Sequence, residues 1–379
     1  MARRTGFASL PLHPGRAPAW LFTRMTKLAR EIATHVVADR GPEELLRRLS
    51  DPFWFQALGC VLGFDWHSSG VTTTVTGALK EGLRGIEHEL GIYSQGGKGA
   101  TSRKTPLEIR ERCDQLAIDS GPFEYASRMA AKVDSAAVQD GYQLYHHAFF
   151  FSRAGYWCVV QQGMSDVTRT ARRYHWLSES VTSFVNEPHE AICSDLTAPT
   201  LNLVGAEHDP LRSTSVELAS GSPDRVINLV RRAGAMDGDL PFDAPTLDMP
   251  TRHRLELRDV DPRRLESVLL TTYERAPQDF ETLLGIEGVG TRTLRALALV
   301  SEVIYGTPAS MRDPARFAFA HGGKDGTPFP VDRATYDRTI DTLHRAMSHA
   351  RIDRSDKLEA LKRLGRFAKR TEPEVEGTA

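Results

Sequence analysis

The sequence has few cysteines and no long apolar run. Its 379 residues include only four cysteines, and no two of them are spaced as a CxxC pair. This pattern argues against a zinc or disulfide framework and favours reduced thiols in a cytosol. No apolar run reaches the roughly 18 residues of a membrane helix, and the N-terminus has two arginines without a signal peptide's apolar centre. We expect a cytoplasmic protein with no membrane partner.

The net charge is small as well, so it indicates no partner. The 48 basic residues nearly cancel the 49 acidic ones, and any nucleic-acid surface must therefore come from local clustering. The hydrophobic content of 40% and the charged content of 26% are ordinary for a globular protein. The length allows two or three domains.

Periodicity predicts a chain that is mainly α with a small antiparallel β element. Apolar residues recur at helical spacing over 20–50 and again from residue 261 onward. The segments "YQLYHHAFFF" and "YWCVVQQGM" predict a β-hairpin, because aromatic and β-branched residues dominate both. Glycines and basic residues predict a loop over 91–106. We divide the chain into an N-terminal candidate catalytic domain (1–193), a connecting region (194–260) and an all-α C-terminal domain (261–379).

The segment "LLGIEGVGTRTLRALALV" (283–300) carries the clearest signal for nucleic-acid binding. Two glycines inside a helix would each cost about 1 kcal/mol against alanine, so we predict a turn over 286–290 and a second helix over Thr291–Tyr305. Free amides at the start of that helix, together with its dipole, suit a DNA phosphate. The predicted contacts are Gly288, Val289, Gly290, Thr291, Arg292, Thr293 and Arg295, with Val289 also packing into the core. The alternative is a tight turn that needs glycine for packing alone.

The glycine turn resembles the helix-hairpin-helix of DNA-repair proteins, and this resemblance extends in part to the DNA glycosylases. Their turn is followed by a Val-Asp pair with a catalytic aspartate, which would correspond to Asp332 in "PFPVDRATYDRTID". The spacing here is longer than in that family, and the alternative role for Asp332 is a helix N-cap. Arg292 stands where the bifunctional enzymes have a lysine, and its guanidinium is too basic for Schiff-base chemistry.

Other basic segments extend the predicted phosphate-binding surface. They contribute Lys98, Arg103 and Lys104 from "GGKGATSRKTP", Arg172 and Arg173 from "RTARRYHW", and Lys324 from "AHGGKDGTP". A C-terminal helix over 351–370, with eight basic and three acidic residues, is expected beside the glycine turn. Solvated surface segments are the alternative for "GGKGATSRKTP" and "RTARRYHW".

Candidate catalytic residues lie in the N-terminal half. "GFDWHSSG" brings Asp65 and His67 together at the end of an apolar helix, where they suit either a pocket or a capping cluster. On the predicted hairpin, His146 and His147 point to opposite faces. His146 is a candidate base, while Asp134, Asp140 and His147 form a weak candidate site for a divalent metal. Histidines packed in the core are the alternative.

Several longer phrases resemble one family over nearly the whole chain. They are "RTGFASLPLHPGRAPAWL", "DPFWFQALGCVLGFDWHSSGVTTTV", "GGKGATSRKTP", "YHHAFFF", "QQGM" and "ARRYHW", and the family is domain-of-unknown-function family 763 of archaea and bacteria. That resemblance brings no established activity.

The residues therefore predict an intracellular DNA-processing protein of the cytoplasm or nucleoid, a glycosylase or a metal-dependent nuclease of repair or recombination. The alternative is a non-enzymatic DNA- or RNA-binding accessory factor.

Overall fold

A computed structural model describes residues 18–64, 70–194, 196–235, 262–315 and 333–371. Its centre is an antiparallel sheet with the strand order β1-β3-β4-β5-β6, beside a two-stranded pair of β2 and β7. The strands are β1 Ile92–Lys98, β2 Val138–Gln139, β3 Gln143–Ser152, β4 Trp157–Ser165, β5 Thr170–Leu177, β6 Ala191–Cys193 and β7 Leu201–Asn202.

Helices cover both faces of this sheet. Before β3 they are α1 Ala19–Arg40, α2 Pro42–Ser50, α3 Pro52–Leu62, α4 Gly70–Leu83, α5 Glu87–Leu90, α6 Ala100–Arg103, α7 Thr105–Leu116 and α8 Gly121–Lys132, with a π-helical turn over Val133–Ala137. After β7 they are α9 Asp209–Ser220, α10 Pro223–Ala235, α11 Pro262–Arg275, α12 Phe280–Gly285, α13 Thr291–Tyr305, α14 Arg333–His349 and α15 Arg354–Thr371. Within the ranges given above, none of these helices is both long and apolar enough to cross a bilayer.

The sheet separates two hydrophobic cores, because successive strand residues face opposite sides. Phe149 and Phe151 of β3 belong to the first core, whereas Ala148 and Phe150 belong to the second. The first core joins the sheet to α7–α13. The second joins it to α1–α5 and to α14 and α15. Each core thus combines residues from the N-terminal and the C-terminal parts of the sequence.

The structure confirms a mainly helical protein with a small antiparallel sheet, and from residue 262 onward the regular elements in its described part are all helices. The predicted hairpin is β3–β4, and α13 begins and ends at the predicted residues. The predicted loop over 91–106 is wrong, since its first half is β1 and its second half contains α6 and the start of α7. Pairing with β3 along the whole of β1 provides hydrogen bonds that composition does not reveal.

The C-terminal basic helix also lies elsewhere than expected. It forms α15, but α15 packs against α3 and α14 rather than beside the glycine turn. The guanidinium of Arg363 donates to the carbonyl of Val61 at 3.0 Å, which fixes α15 to the end of α3. Its apolar residues Ala360 and Leu364 belong to the second core, so packing decides its position.

Candidate functional site

A cavity of about 890 Å³ lies where the start of β3 meets α8. That volume is within the usual range for small-molecule and cofactor sites. Its walls come from α6 and the start of α7, from α8, from the start of β3, and from Gly285 at the end of α12. The lining residues are Gly99, Ser102, Arg103, Pro106, Tyr125, Ser127, Arg128, Met129, Ala131, Lys132, Ser135, Gln143, Leu144, Tyr145, His146, His147, Met164 and Gly285.

The cavity wall is cationic. Arg103, Arg128 and Lys132 line it, and none of the described residues that line it is acidic. Arg103 makes no ion pair with the described part of the chain, whereas Arg128 lies 3.9 Å from the carboxylate of Glu124. Burial lowers the pKa of Lys132, an effect that nearby Glu287 opposes. The wall therefore favours an anionic ligand.

The basic segment before α7 lies beside this cavity. Lys98 and Lys104 are exposed, and the Lys98 ammonium lies 5.7 Å from the ring centroid of Tyr145, a lining residue. Gly96 holds this segment close to β3. Its φ is +87°, and a Cβ there would lie 2.3 Å from the carbonyl oxygen of His147. Only glycine fits such an approach.

Two lining residues, Ser127 and His147, are joined in a hydrogen-bonded chain. Ser127 Oγ lies 3.0 Å from His147 Nε2, and His147 Nδ1 lies 2.7 Å from Gln161 Oε1. The Gln161 amide nitrogen donates to the carbonyl of Ala130 at 3.0 Å and to the carboxylate of Asp134. All five residues are buried, so this series of hydrogen bonds lies inside the first core.

Asp134 anchors the far end of this chain. Its side chain is 0% exposed and accepts hydrogen bonds from the indole of Trp176 at 3.0 Å, from Gln161, and from His189 Nε2. A buried carboxylate is stable only when it is fully hydrogen-bonded. These donors fix the position of Gln161 and, through it, the ring of His147.

His146 lies on the opposite face of β3, as the alternation predicts. Its Nε2 is 2.9 Å from the Thr76 hydroxyl, which itself donates to the carbonyl of Thr72 at 2.8 Å. Because a hydroxyl has one proton, Nε2 is the donor to Thr76, and Nδ1 carries a lone pair. That Nδ1 is buried and has no hydrogen-bond partner. Burial, with smaller contributions from His147 and Lys98, lowers the pKa of His146 to about 3, so the ring is neutral.

The glycine turn (residues 286–290) follows directly from lining residue Gly285. Gly288 has a φ of +89°, while Gly290 is extended and is the N-cap of α13, without a side-chain cap. Val289 is 0% exposed, which confirms that it packs into the core. Arg292 is exposed and makes no ion pair with the residues that the structure describes.

Two other residues of the motif, Thr293 and Arg295, are buried, and a third, Thr291, is hydrogen-bonded to the protein. The Thr291 hydroxyl donates to the carbonyl of Ser135 at 3.1 Å, and Arg295 Nε donates to Gln139 Oε1 at 2.8 Å. Thr293 and Arg295 are each 5% exposed. Burial lowers the pKa of Arg295 to about 10. The expectation that Thr293 and Arg295 contact DNA is therefore corrected, because both are buried, and Arg295 attaches α13 to β2.

The predicted DNA contacts Arg172 and Arg173 also lie in the core. Arg172 is 0% exposed and bridges the carboxylates of Asp140 and Asp313. Arg173 is 0% exposed too, and its Nε donates to His175 Nε2 at 2.9 Å. The segment is the strand β5, covered on both faces. The expectation that these two arginines contact DNA is wrong because both are buried: two carboxylates neutralise Arg172, and Arg173 is hydrogen-bonded to His175 and Gln56.

The expected metal site is not formed by the described residues. No group of three or more His, Cys, Asp or Glu side chains that could hold a metal ion occurs among them. Asp134 and His147 both belong to the chain of hydrogen bonds through Gln161, whereas Asp140 pairs with Arg172. Four further predicted residues, Asp65, His67, Lys324 and Asp332, lie outside the described residues.

Three lining residues, Ser127, Arg128 and Lys132, were not predicted from the sequence. One local signal for Ser127 exists, because it shares the buried face of α8 with Phe123 and Ala130. A polar residue at a core-facing helical position needs a partner. Arg128 and Lys132 are spaced i, i+4, which places them on one face. The partner His147 comes from a strand, so its contact with Ser127 is tertiary.

No curated protein matches the sequence significantly, and no solved structure matches it significantly either. A family model described as "Protein of unknown function (DUF763)" matches residues 6–331, which cover the sheet, the cavity and the glycine turn. The chain therefore belongs to the DUF763 family.

Proposed function

We propose that this protein binds nucleic acid through its phosphate backbone, with DNA as the favoured ligand. The observation that carries the proposal is the cavity itself: Arg103, Arg128 and Lys132 line it, no described acidic residue does, and the glycine turn begins beside it at Gly285. Phosphate contacts dominate the affinity of proteins for nucleic acids. An anionic polymer can contact the cavity wall and the turn together.

The glycine turn supplies the second part of the proposed surface. The first amides of a helix have no partner within the helix, and Gly290 provides no side-chain cap. A Cβ at Gly290 would have only the carbonyl oxygen of Gly288 within 4 Å, at 3.9 Å, so the turn leaves open space there. With exposed Arg292 beside them, these amides suit a phosphate. This use of the turn is what its resemblance to a helix-hairpin-helix implies.

A role in DNA repair or recombination is the finer proposal. For a glycosylase, Asp332 would stabilise the cationic transition state while the target base is flipped out of the duplex. For a nuclease, a divalent metal would need ligands beyond the groups that the described residues bring together. A non-enzymatic accessory factor needs only the cationic cavity wall and the turn. All three share the phosphate-binding surface, so binding is tested first.

The test is fluorescence anisotropy with duplex, single-stranded and abasic DNA from about 50 to about 200 mM salt. We expect log K to fall linearly with log salt for the wild type. The Arg103→Ala/Arg128→Ala variant and Arg292→Ala should each bind more weakly, with the slope reduced by about one for every phosphate contact removed.

The matched control is Arg84→Ala. Arg84 is 71% exposed and does not line the cavity, so its removal changes the total charge without changing the proposed surface. The proposal would be overturned if the wild type bound no DNA. It would also be overturned if Arg84→Ala weakened DNA binding as much as Arg292→Ala does.

A further inference from the structure

We infer that Ser127 is a nucleophile, that His147 is its general base, and that the cavity holds a phosphate diester. The geometry that carries this inference is the 3.0 Å contact of Ser127 Oγ with His147 Nε2 and the 2.7 Å contact of His147 Nδ1 with Gln161 Oε1. A hydroxyl, an imidazole and a group that orients the imidazole form the arrangement of an activated nucleophile. Ser127 and His147 both line the cavity.

The proton positions follow from the partners at the far end of the chain. A carbonyl oxygen and a carboxylate only accept, so the Gln161 amide nitrogen faces Ala130 and Asp134, and Gln161 Oε1 faces His147. His147 Nδ1 therefore carries the proton, and Nε2 presents its lone pair to Ser127. Burial is the main influence that lowers the pKa of His147, and the ring is thus neutral and able to accept a proton.

The choice of a phosphate diester rests on the proposed function. The cationic wall of Arg103, Arg128 and Lys132 favours an anionic electrophile over a neutral carboxylic ester.

The reaction needs only a water or an alcohol besides the diester. Ser127 Oγ forms a bond to phosphorus as its proton moves to His147 Nε2. The P–O bond to the leaving alkoxide breaks, and that oxygen takes the proton from Nε2, which gives an alcohol and a phosphoseryl diester. A water or an alcohol then attacks phosphorus, loses its proton to His147 and releases Ser127, whose oxygen recovers that proton. Gln161 is a positioning residue that keeps Nε2 towards Ser127.

The experiment uses the full chain and a fluorophosphonate probe, which reacts covalently with activated serines whether or not the protein binds nucleic acid. We expect mass spectrometry to locate the phosphonate on Ser127. The rate should be constant above pH 7 and should fall on acidification as His147 gains a proton. His147→Gln should slow labelling by about 100-fold or more, as expected for loss of a general base. Matching thermal unfolding of the variants establishes that they fold.

Ser135 provides the matched control. It lines the same cavity, but its hydroxyl donates to the backbone carbonyl of Lys132 at 3.4 Å instead of to a histidine. Ser135→Ala should leave the labelling rate unchanged, whereas Ser127→Ala should abolish labelling. No adduct on Ser127, or equal adducts on both serines, would overturn the inference.

Comparing the turnover of bis(p-nitrophenyl) phosphate with that of p-nitrophenyl acetate shows whether the site takes a phosphate diester or a carboxylic ester. Loss of diester hydrolysis in Ser127→Ala supports the inference, and turnover of the acetate alone overturns the phosphate assignment. DNA binding by the wild type separates the two proposals: if the wild type binds DNA but the probe does not label its Ser127, only the nucleophile is refuted. If labelling succeeds while the wild type binds no DNA, the proposed nucleic-acid function is refuted instead.

Discussion

Replacing Arg172 by methionine should remove a large part of the stability of the fold. Arg172 is 0% exposed, and its guanidinium donates to Asp140 at 3.0 Å, to Asp313 at 2.8 and 3.0 Å, and to the carbonyl of Leu196 at 3.1 Å. Methionine fills similar space but leaves two carboxylates buried without their counter-charge. Removing one partner of a buried pair costs about 3–5 kcal/mol, against a usual total of about 5–15 kcal/mol.

The measurement is equilibrium urea unfolding followed by circular dichroism at pH 7, with Arg47→Met as the control. Arg47 makes the same two-bond contact with Glu179, at 2.6 and 2.8 Å, but the two side chains are 45% and 30% exposed. An exposed pair is worth about 0–1 kcal/mol. Equal losses for Arg172→Met and Arg47→Met would refute the argument that burial makes the Arg172 contacts matter.

A triple variant tests the reason for the loss. Asp140→Asn/Arg172→Met/Asp313→Asn removes all three charges together, so no buried charge lacks a partner. It should be more stable than Arg172→Met alone, because buried ion pairs can be replaced by neutral groups at little cost whereas half of a pair cannot. If the triple variant is the least stable, packing rather than charge accounts for the effect.

Three more outcomes are expected. Acidification from pH 7 to 5 should lower the free energy of unfolding. Burial depresses the pKa of His146 to about 3 and lowers that of His147. The unfolded chain therefore takes up protons near pH 6.5 that the folded chain does not. The effect is up to about 1.4 kcal/mol per pH unit for each group. In urea titrations, His146→Gln should therefore reduce the dependence of the unfolding free energy on pH. An unchanged pH dependence would contradict this. Gly288→Ala should lower the unfolding free energy by about 1–2 kcal/mol in thermal melts, because its φ is +89° and a Cβ would lie 3.2 Å from a Val268 methyl. Gly290 is extended and has open space around it, so Gly290→Ala should change the unfolding free energy by no more than about 0.5 kcal/mol. All four cysteines are buried, so a thiol reagent should modify none in the native protein and four in denaturant; a rapidly reacting thiol would contradict the burial.

Elements whose ends are set by residues close in the sequence, such as α13 and the β3–β4 hairpin, could be predicted. Helix α13 begins after Gly290 and ends before Gly306, which adopts the left-handed conformation of a helix C-cap. Both glycines are visible in the sequence. The hairpin β3–β4 is equally local, since its aromatic strands are joined by four residues, 153–156.

The candidate site could not be predicted in the same way, because its contacts join distant segments. Arg172 and Asp313 are separated by 141 residues, so nothing near either one shows that the arginine is neutralised in the core. Ser127 and His147 come from a helix and a strand, and only the packing of α8 on the sheet brings them together. Composition indicated a basic segment over 98–104 correctly but gave no indication that β1 completes the sheet.

The second core has a consequence for how the protein is made. Leu343, Met347 and Leu364 from α14 and α15 share that core with Met25 and Leu58 from α1 and α3. A ribosome must therefore synthesise the chain as far as α15 before this side of the sheet is covered. Until then the apolar surface of the nascent chain is open to chaperones and to aggregation. Premature termination before α14 should yield a product that proteases remove, even though every strand of the sheet is present.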